Sequence, residues 1–184
     1  LKIFLTSDHH FFHKNIIKYT SRPFNNEYKM NEFMIKKWNS VVKKYDLVLY
    51  LGDLTAGLKG RKKQLVEVVN RLNGKIHLIL GNHDYLGRDF YINECGIKSV
   101  SKYLAIGNYF FCHYPLIQDP DFLEPKKEIL KENFKKHKCK YIFHGHTHNT
   151  EYPNYENHFN VGVDRNNFTP IDLEKFTETY KWQK

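Results

Sequence analysis

Residues Lys75-Ile76-His77-Leu78-Ile79-Leu80 are followed at once by Gly81-Asn82-His83-Asp84. A short, nearly continuous apolar run bounded by a glycine reads as a strand covered on both faces. The polar residues behind it then lie just past the strand's C-terminal end. The same arrangement recurs along the chain. Lys2–Thr6 leads to Asp8-His9-His10, and Leu47–Leu51 leads to Gly52-Asp53. Tyr109–Cys112 leads to His113, and Tyr141–His144 leads to Gly145-His146-Thr147-His148. Phe159–Val163 reads as a sixth strand.

Between these runs lie helical patterns. Met30, Met34, Trp38, Val41 and Val42 form one apolar stripe, and Leu65, Val68, Val69 and Leu72 form another. Gly74 stands where a helix stop belongs. Pro125 opens a third helix through Lys138, with Ile129, Leu130 and Phe134 expected to face inward. Strand and helix alternate, so the fold class is α/β. At 184 residues the chain suits one domain, spanning residues 1–184.

Composition narrows the function. Apolar residues make up 41% and charged residues 27%, as in a globular protein with a core. No apolar run approaches the roughly 20 residues of a membrane span, so no membrane partner is expected. Leu1 to Thr6 is too short for the apolar part of a signal peptide. Cys95, Cys112 and Cys139 are odd in number and scattered, which argues against a disulfide framework or a thiolate zinc site. A reduced, cytoplasmic setting is the expectation. The net charge of +9 is uneven: residues 1–92 hold 16 Lys+Arg against 8 Asp+Glu, and residues 93–184 hold 13 against 12. A basic half suits a phosphate-bearing partner, nucleotide or nucleic acid. The Lys-rich helical faces at Lys36-Lys37 and Lys135-Lys136 are most simply solvated surfaces.

In α/β sheets the C-terminal strand edge is where ligands bind. Five clusters of Asp, His and Asn at that edge, with no Cys among them, form an oxygen and nitrogen donor set. Such a set suits Mn, Fe, Zn, Co or Ni. Seven candidate ligands exceed the need of one ion. A pair can share them if a carboxylate bridges, and Asp53 is the natural bridge.

The ordered series DxH (Asp8, His10), GD (Asp53), GNHD (Asn82, His83, Asp84), H (His113) and GHxH (His146, His148) resembles the calcineurin-like metallophosphoesterase superfamily over residues 3 to 163. The start around Asp8 to His13, with the later Arg22-Pro23-Phe24, is similar to a subgroup of short phage and prokaryotic phosphoesterases. The resemblance implies two packed mixed β-sheets flanked by helices, around a dinuclear metal site. It implies Asp8, His10, Asp53 and His148 on one ion, and Asp53, Asn82, His113 and His146 on the other. His83 would be the proton donor, and Asp84 would orient it by accepting its other ring N–H.

The implied reaction is hydrolysis of a phosphoester by in-line attack of metal-bound hydroxide, with manganese the first choice of metal. A phosphodiester is favoured: a cyclic nucleotide, a 2′,3′-cyclic phosphate or a nucleic acid. The alternatives are a phosphomonoesterase or protein phosphatase, and a non-catalytic binding module on the same scaffold. His13 and Arg22 are candidate substrate contacts; for Arg22 a loop-locking role before Pro23 is the competing reading. His9 should face away from the ligands and pack. His144 reads as a buried, hydrogen-bonded histidine. Asp164 anchors the last loop rather than a metal. The aromatic tail (Phe159, Phe168, Phe176, Tyr180, Trp182) covers a sheet edge or a neighbour.

Overall fold

The structure is a computed structural model that describes residues 1–56, 60–116, 125–150 and 156–180. Strands β1 (Ile3–Thr6), β2 (Leu47–Tyr50), β3 (Lys75–Ile79), β4 (Ser99–Ser101) and β9 (Ile171–Asp172) form a five-stranded sheet in the order β4-β3-β2-β1-β9. All its pairings are parallel except that of β1 with β9. Strands β5 (Tyr103–Ile106), β6 (Tyr109–Cys112), β7 (Tyr141–His144) and β8 (His158–Asn160) form a four-stranded sheet in that order. There β5 and β6 are antiparallel, and the rest is parallel. Both sheets are therefore mixed, as expected.

The apolar runs of β1, β2, β6 and β7 are continuous because these strands bury both faces. Alternate residues go to different cores. Leu5, Leu49, Leu51 and Ile79 from the first sheet meet Phe111, Phe143 and Val161 in a layer between the sheets. Their neighbours Phe4, Val48, Tyr50, Ile76 and Leu78 face the other way, in one core with Ile16 of the short helix α1 (Ile16–Tyr19) and with helices α2 (Glu27–Val41) and α3 (Lys62–Asn70). Phe110, Cys112 and Ile142 face outward from the second sheet, against α4 (Pro125–Lys136). The Met30, Met34 and Trp38 stripe is fully buried, and so is Leu65. Trp38 also donates its indole N–H to the Asn73 carbonyl at 2.8 Å. The Asn26 side chain caps α2 by accepting from the Lys29 amide.

Two expectations need correcting. The last long strand is not one strand. Residues 158–160 pair with β7, and Val161 donates to the His144 carbonyl. Gly162 then bridges Ser7, and Val163 donates to the Ser7 carbonyl. The segment crosses from the second sheet to the first and stitches them at one end. In α4, which ends at Lys136 rather than Lys138, Ile129 does not face inward: it is 56% exposed, whereas Leu130 is 5% exposed. Adjacent helical positions lie about 100° apart, so Leu130 and Phe134 share the inner stripe and Ile129 falls outside it.

In the aromatic tail, Phe176 of α5 (Leu173–Tyr180) packs on Phe143 and Phe159, and Phe168 packs on Phe24 and Phe33. Trp182 and the Tyr180 side chain lie outside the described residues. The three cysteines are free and buried. No helix among the described residues is long and apolar enough to cross a membrane.

The two neighbours on α4 make a paired test. Leu130→Ala should cost about 2–5 kcal/mol in urea denaturation, and Ile129→Ala should stay within about 0.5 kcal/mol of the parent. Equal costs would mean that α4 packs with a different face.

Candidate metal centre

Five loops leave the C-terminal ends of β1, β2, β3, β6 and β7, and they meet at the seam between the sheets. Three groups form, each with its ligating atoms within 4.8 Å of one another: Asp8, His10 and His148; His10, Asp53 and His83; and Asp53, His113 and His146. The Asn82 carboxamide oxygen completes the third, 3.0 Å from both His113 Nε2 and His146 Nδ1. Asp53 Oδ2 lies 3.4 Å from His10 Nε2 and 3.4 Å from His113 Nε2, between the outer groups.

The rings are set by their other nitrogens. His113 Nδ1 is 2.7 Å from the Leu51 carbonyl, so that nitrogen carries the hydrogen and Nε2 faces the centre. His148 Nδ1 is 2.7 Å from Asp164 Oδ2, which frees its Nε2 in the same way. His10 is buried, and neither ring nitrogen has a hydrogen-bond partner among the described residues. Such a group costs about 1–3 kcal/mol unless something else satisfies it. A divalent cation would do so, and the oxygen and nitrogen donors around it fit one.

The backbone around these residues is unusual. Asp8, His10, Asp53, His146 and His148 all have positive φ, between 46° and 70°. Each such residue costs of order 1–3 kcal/mol and persists only where its surroundings over-determine it. Here buried carboxylates do so by taking amide hydrogens from other loops. Both Asp8 oxygens accept from the His146 amide at 3.0 Å. Asp53 Oδ1 accepts from the His83 amide at 2.9 Å. Close approach also needs two glycines. A Cβ on Gly81 would collide with the Asp53 carboxylate, and one on Gly52, at φ +92°, would collide with the His113 ring and the Gly81 backbone.

Electrostatics follow the same geometry. Burial raises the Asp8 carboxyl, against the pull of His113 and His148. Burial also opposes ionisation of Asp53, but His113, His10 and the His83 amide outweigh it and hold the carboxyl well below the usual range. For His113 burial is again outweighed, this time by Asp53, and the ring is raised to about 9. Burial lowers His146 to about 3, reinforced by His113.

The structure thus brings together all seven candidate ligands and His83. His13 stands at the mouth, its ring 5.5 Å from that of His10 and 6.2 Å from that of His83. His9 turns away and packs: its Nδ1 is 2.8 Å from the Tyr50 hydroxyl and its ring stacks on Phe11. His144 is buried with Nδ1 2.8 Å from the Gly145 carbonyl.

Two expected contacts fall elsewhere. Asp84 does not hold the His83 ring. Its carboxylate accepts from the Asp53, Leu54 and Gly81 amides, at 2.7, 3.1 and 2.8 Å. Burial and the Asp53 charge raise it to about 6, while those amides pull the other way. Arg22 does not face a substrate. It is 4% exposed, and its guanidinium donates to Asp164 twice, to the Asp8 and His9 carbonyls and to Met30 Sδ. All five donors are taken, so the loop-locking reading is the one the geometry carries.

Asp164 emerges as the larger player: it binds Arg22 and orients His148. Its signal in the sequence is position, since it too follows a strand-like run, Val161-Gly162-Val163. Tyr114 had no signal beyond adjacency, yet its ring lies 4.9 Å from those of both His113 and His146.

Arg22→Met should strand the buried Asp164 carboxylate and cost about 3–5 kcal/mol in urea denaturation. The double change Arg22→Met, Asp164→Leu should recover part of that loss. A single variant as stable as the parent would deny the pair its structural role.

Residues 1–150 match the family model described as calcineurin-like phosphoesterase. An uncharacterized protein of Methanocaldococcus jannaschii is 36% identical over 179 residues, covering 94% of this chain and 88% of that one. A protein of unknown function from Aquifex aeolicus superposes with a TM-score of 0.78 at 23% identity, covering 97% of this chain and 98% of that one. That likeness speaks for the fold. A metallophosphoesterase from Sphaerobacter thermophilus reaches a TM-score of 0.41 at 21% identity, over 80% of this chain and 61% of that one. With the family model covering most of the chain, this protein belongs to the calcineurin-like phosphoesterase family, whose members carry out metal-dependent phosphoester hydrolysis.

Proposed function

We propose that the chain is a dinuclear phosphodiesterase. The observation that carries this reading is the place of Asp53 Oδ2, 3.4 Å from an imidazole nitrogen of each outer group. A carboxylate there would have oxygens to offer to both positions. Asp8, His10 and His148 would complete one position, and Asn82, His113 and His146 the other. Bound there, two divalent cations, manganese first and Fe, Zn, Ni or Co also suited, would supply Lewis acidity and a nucleophile active near neutral pH.

The remaining work falls to the protein's own groups. His83 donates a proton to the leaving oxygen; its place is held by its amide bond to Asp53 Oδ1, with the ring edge-on to His10 at 5.1 Å. Asp84 keeps the β2 and β3 loops in register through the amides it accepts, acting on position rather than on the substrate. The rim is open: Asn82 is exposed, and His83 and His13 are half-buried. A phosphate with two esterified arms can lie there without being enclosed, which favours a diester over a monoester. The uneven positive charge of the first half supports a nucleotide or nucleic acid.

Asp53→Asn should lose both ions by elemental analysis; two retained per chain would sink the bridging role. His83→Ala should keep the metal but lose about 10²–10⁴-fold in turnover on alkyl diesters, and less on bis-nitrophenyl phosphate, whose leaving group needs no proton. Equal loss on both would count against the acid role.

Metal loading should also be linked to protons. With His113 raised to about 9, an ion must displace its proton at neutral pH. Uptake should therefore release protons and tighten as pH rises towards 9, by about tenfold per unit for one proton. Affinity flat between pH 7 and 9 would contradict this.

A further inference from the structure

Against the His113 and His146 side of the centre lies a cavity of about 290 Å³. That is close to the range in which small organic ligands are held. It opens between the end of β3, the β4–β5 junction and α4. Asn82 lines it and also points its carboxamide oxygen at His113 and His146. Tyr114 forms another wall, with its ring against both imidazoles. The cavity and the centre therefore share Asn82 and Tyr114 as a common wall.

The lining is mostly apolar and rich in rings. Tyr103 is held in place by stacking on Phe110 at 5.1 Å and by donating its hydroxyl to Asn133 at 2.8 Å. Tyr85 and Ile129 flank the cavity, and they are 65% and 56% exposed. Ile129, one position off the inner stripe of α4, stands at this mouth. The one cationic side chain in the described lining is Lys102. Flat aromatic walls with an amide and an ammonium at the edge match a planar heterocycle, which has a π-face and edge acceptors. A hydrocarbon chain would leave the amide and the ammonium unused; the carboxylate of Asp84, which also lines the cavity, is taken up by the Asp53, Leu54 and Gly81 amides.

We propose that this cavity seats a nucleobase, so that the substrate is a nucleoside phosphodiester whose base enters beside Tyr85, Tyr114 and Ile129. This inference rests on the phosphodiesterase reading above, and its test separates the two. With manganese-loaded protein, kcat/KM is compared for the nitrophenyl ester of thymidine 5′-phosphate and for methyl nitrophenyl phosphate. Thymidine binding is measured by calorimetry, with manganese and after chelation. Both are repeated for Tyr85→Ala and Ile129→Asp, which alter exposed positions, and for the distant control Tyr45→Ala.

The expected result is a preference for the thymidine ester that falls about tenfold in the two cavity variants, with weaker thymidine binding in both and no change in the control. Methyl ester turnover with no thymidine binding and no preference overturns the cavity proposal and leaves the phosphoesterase standing. Thymidine binding weakened by Tyr85→Ala in a protein that cleaves neither ester supports the cavity and defeats the phosphoesterase reading. Preference for a dodecyl nitrophenyl ester over the thymidine ester overturns the base in favour of an alkyl chain.

Discussion

Four buried or nearly buried carboxylates each accept hydrogen bonds from a loop other than their own, and the whole centre depends on that exchange. Asp8, after β1, takes the His146 amide after β7. Asp53, after β2, takes the His83 amide after β3. Asp84 returns the bond to Asp53 and Leu54. Asp164 closes the set through Arg22, which in turn grips the Asp8 and His9 carbonyls. Bonds to ionised acceptors are roughly twice as strong as neutral ones. They reach the backbone of Asp8, Asp53 and His146, three of the five left-handed residues of the centre. Remove the exchange and the side chains that converge on Asp53 would lose their aim.

Much of this is legible in the sequence. The strands Tyr109–Cys112 and Tyr141–His144 have the ends that their apolar runs suggest. The reason is that every second side chain goes to a different buried layer, which leaves a continuous signal. The convergence of the polar clusters was legible for a related reason: each follows a strand, and parallel strands put those ends at one edge.

Other features left no local trace. β4, β5 and β9 sit at sheet edges, so nothing forces a continuous apolar run on them. Asp84 stands next to His83 in sequence, and the family resemblance implied a bond to its ring. The carboxylate bonds instead with three amides that the fold brings within 3.1 Å. Arg22 and Asp164 are 142 positions apart, and no periodicity reports a pairing at that range. Ile129 illustrates a different limit: an apolar residue inside an amphipathic helix is ambiguous by one position in register, and only the neighbour's burial decides.

The chain's passage from one sheet to the other at residues 161–163 has a mechanical consequence. Asp8, His10 and Asp53 hang from one layer, whereas His113, His146 and His148 hang from the opposite one. Cargo held among them would act as a rivet between two plates, with the crossing segment as the hinge pin beside it. Any slip of the plates would then spill the cargo before either plate came apart, so release of ions on warming would be an early event and unravelling of the layers a later one.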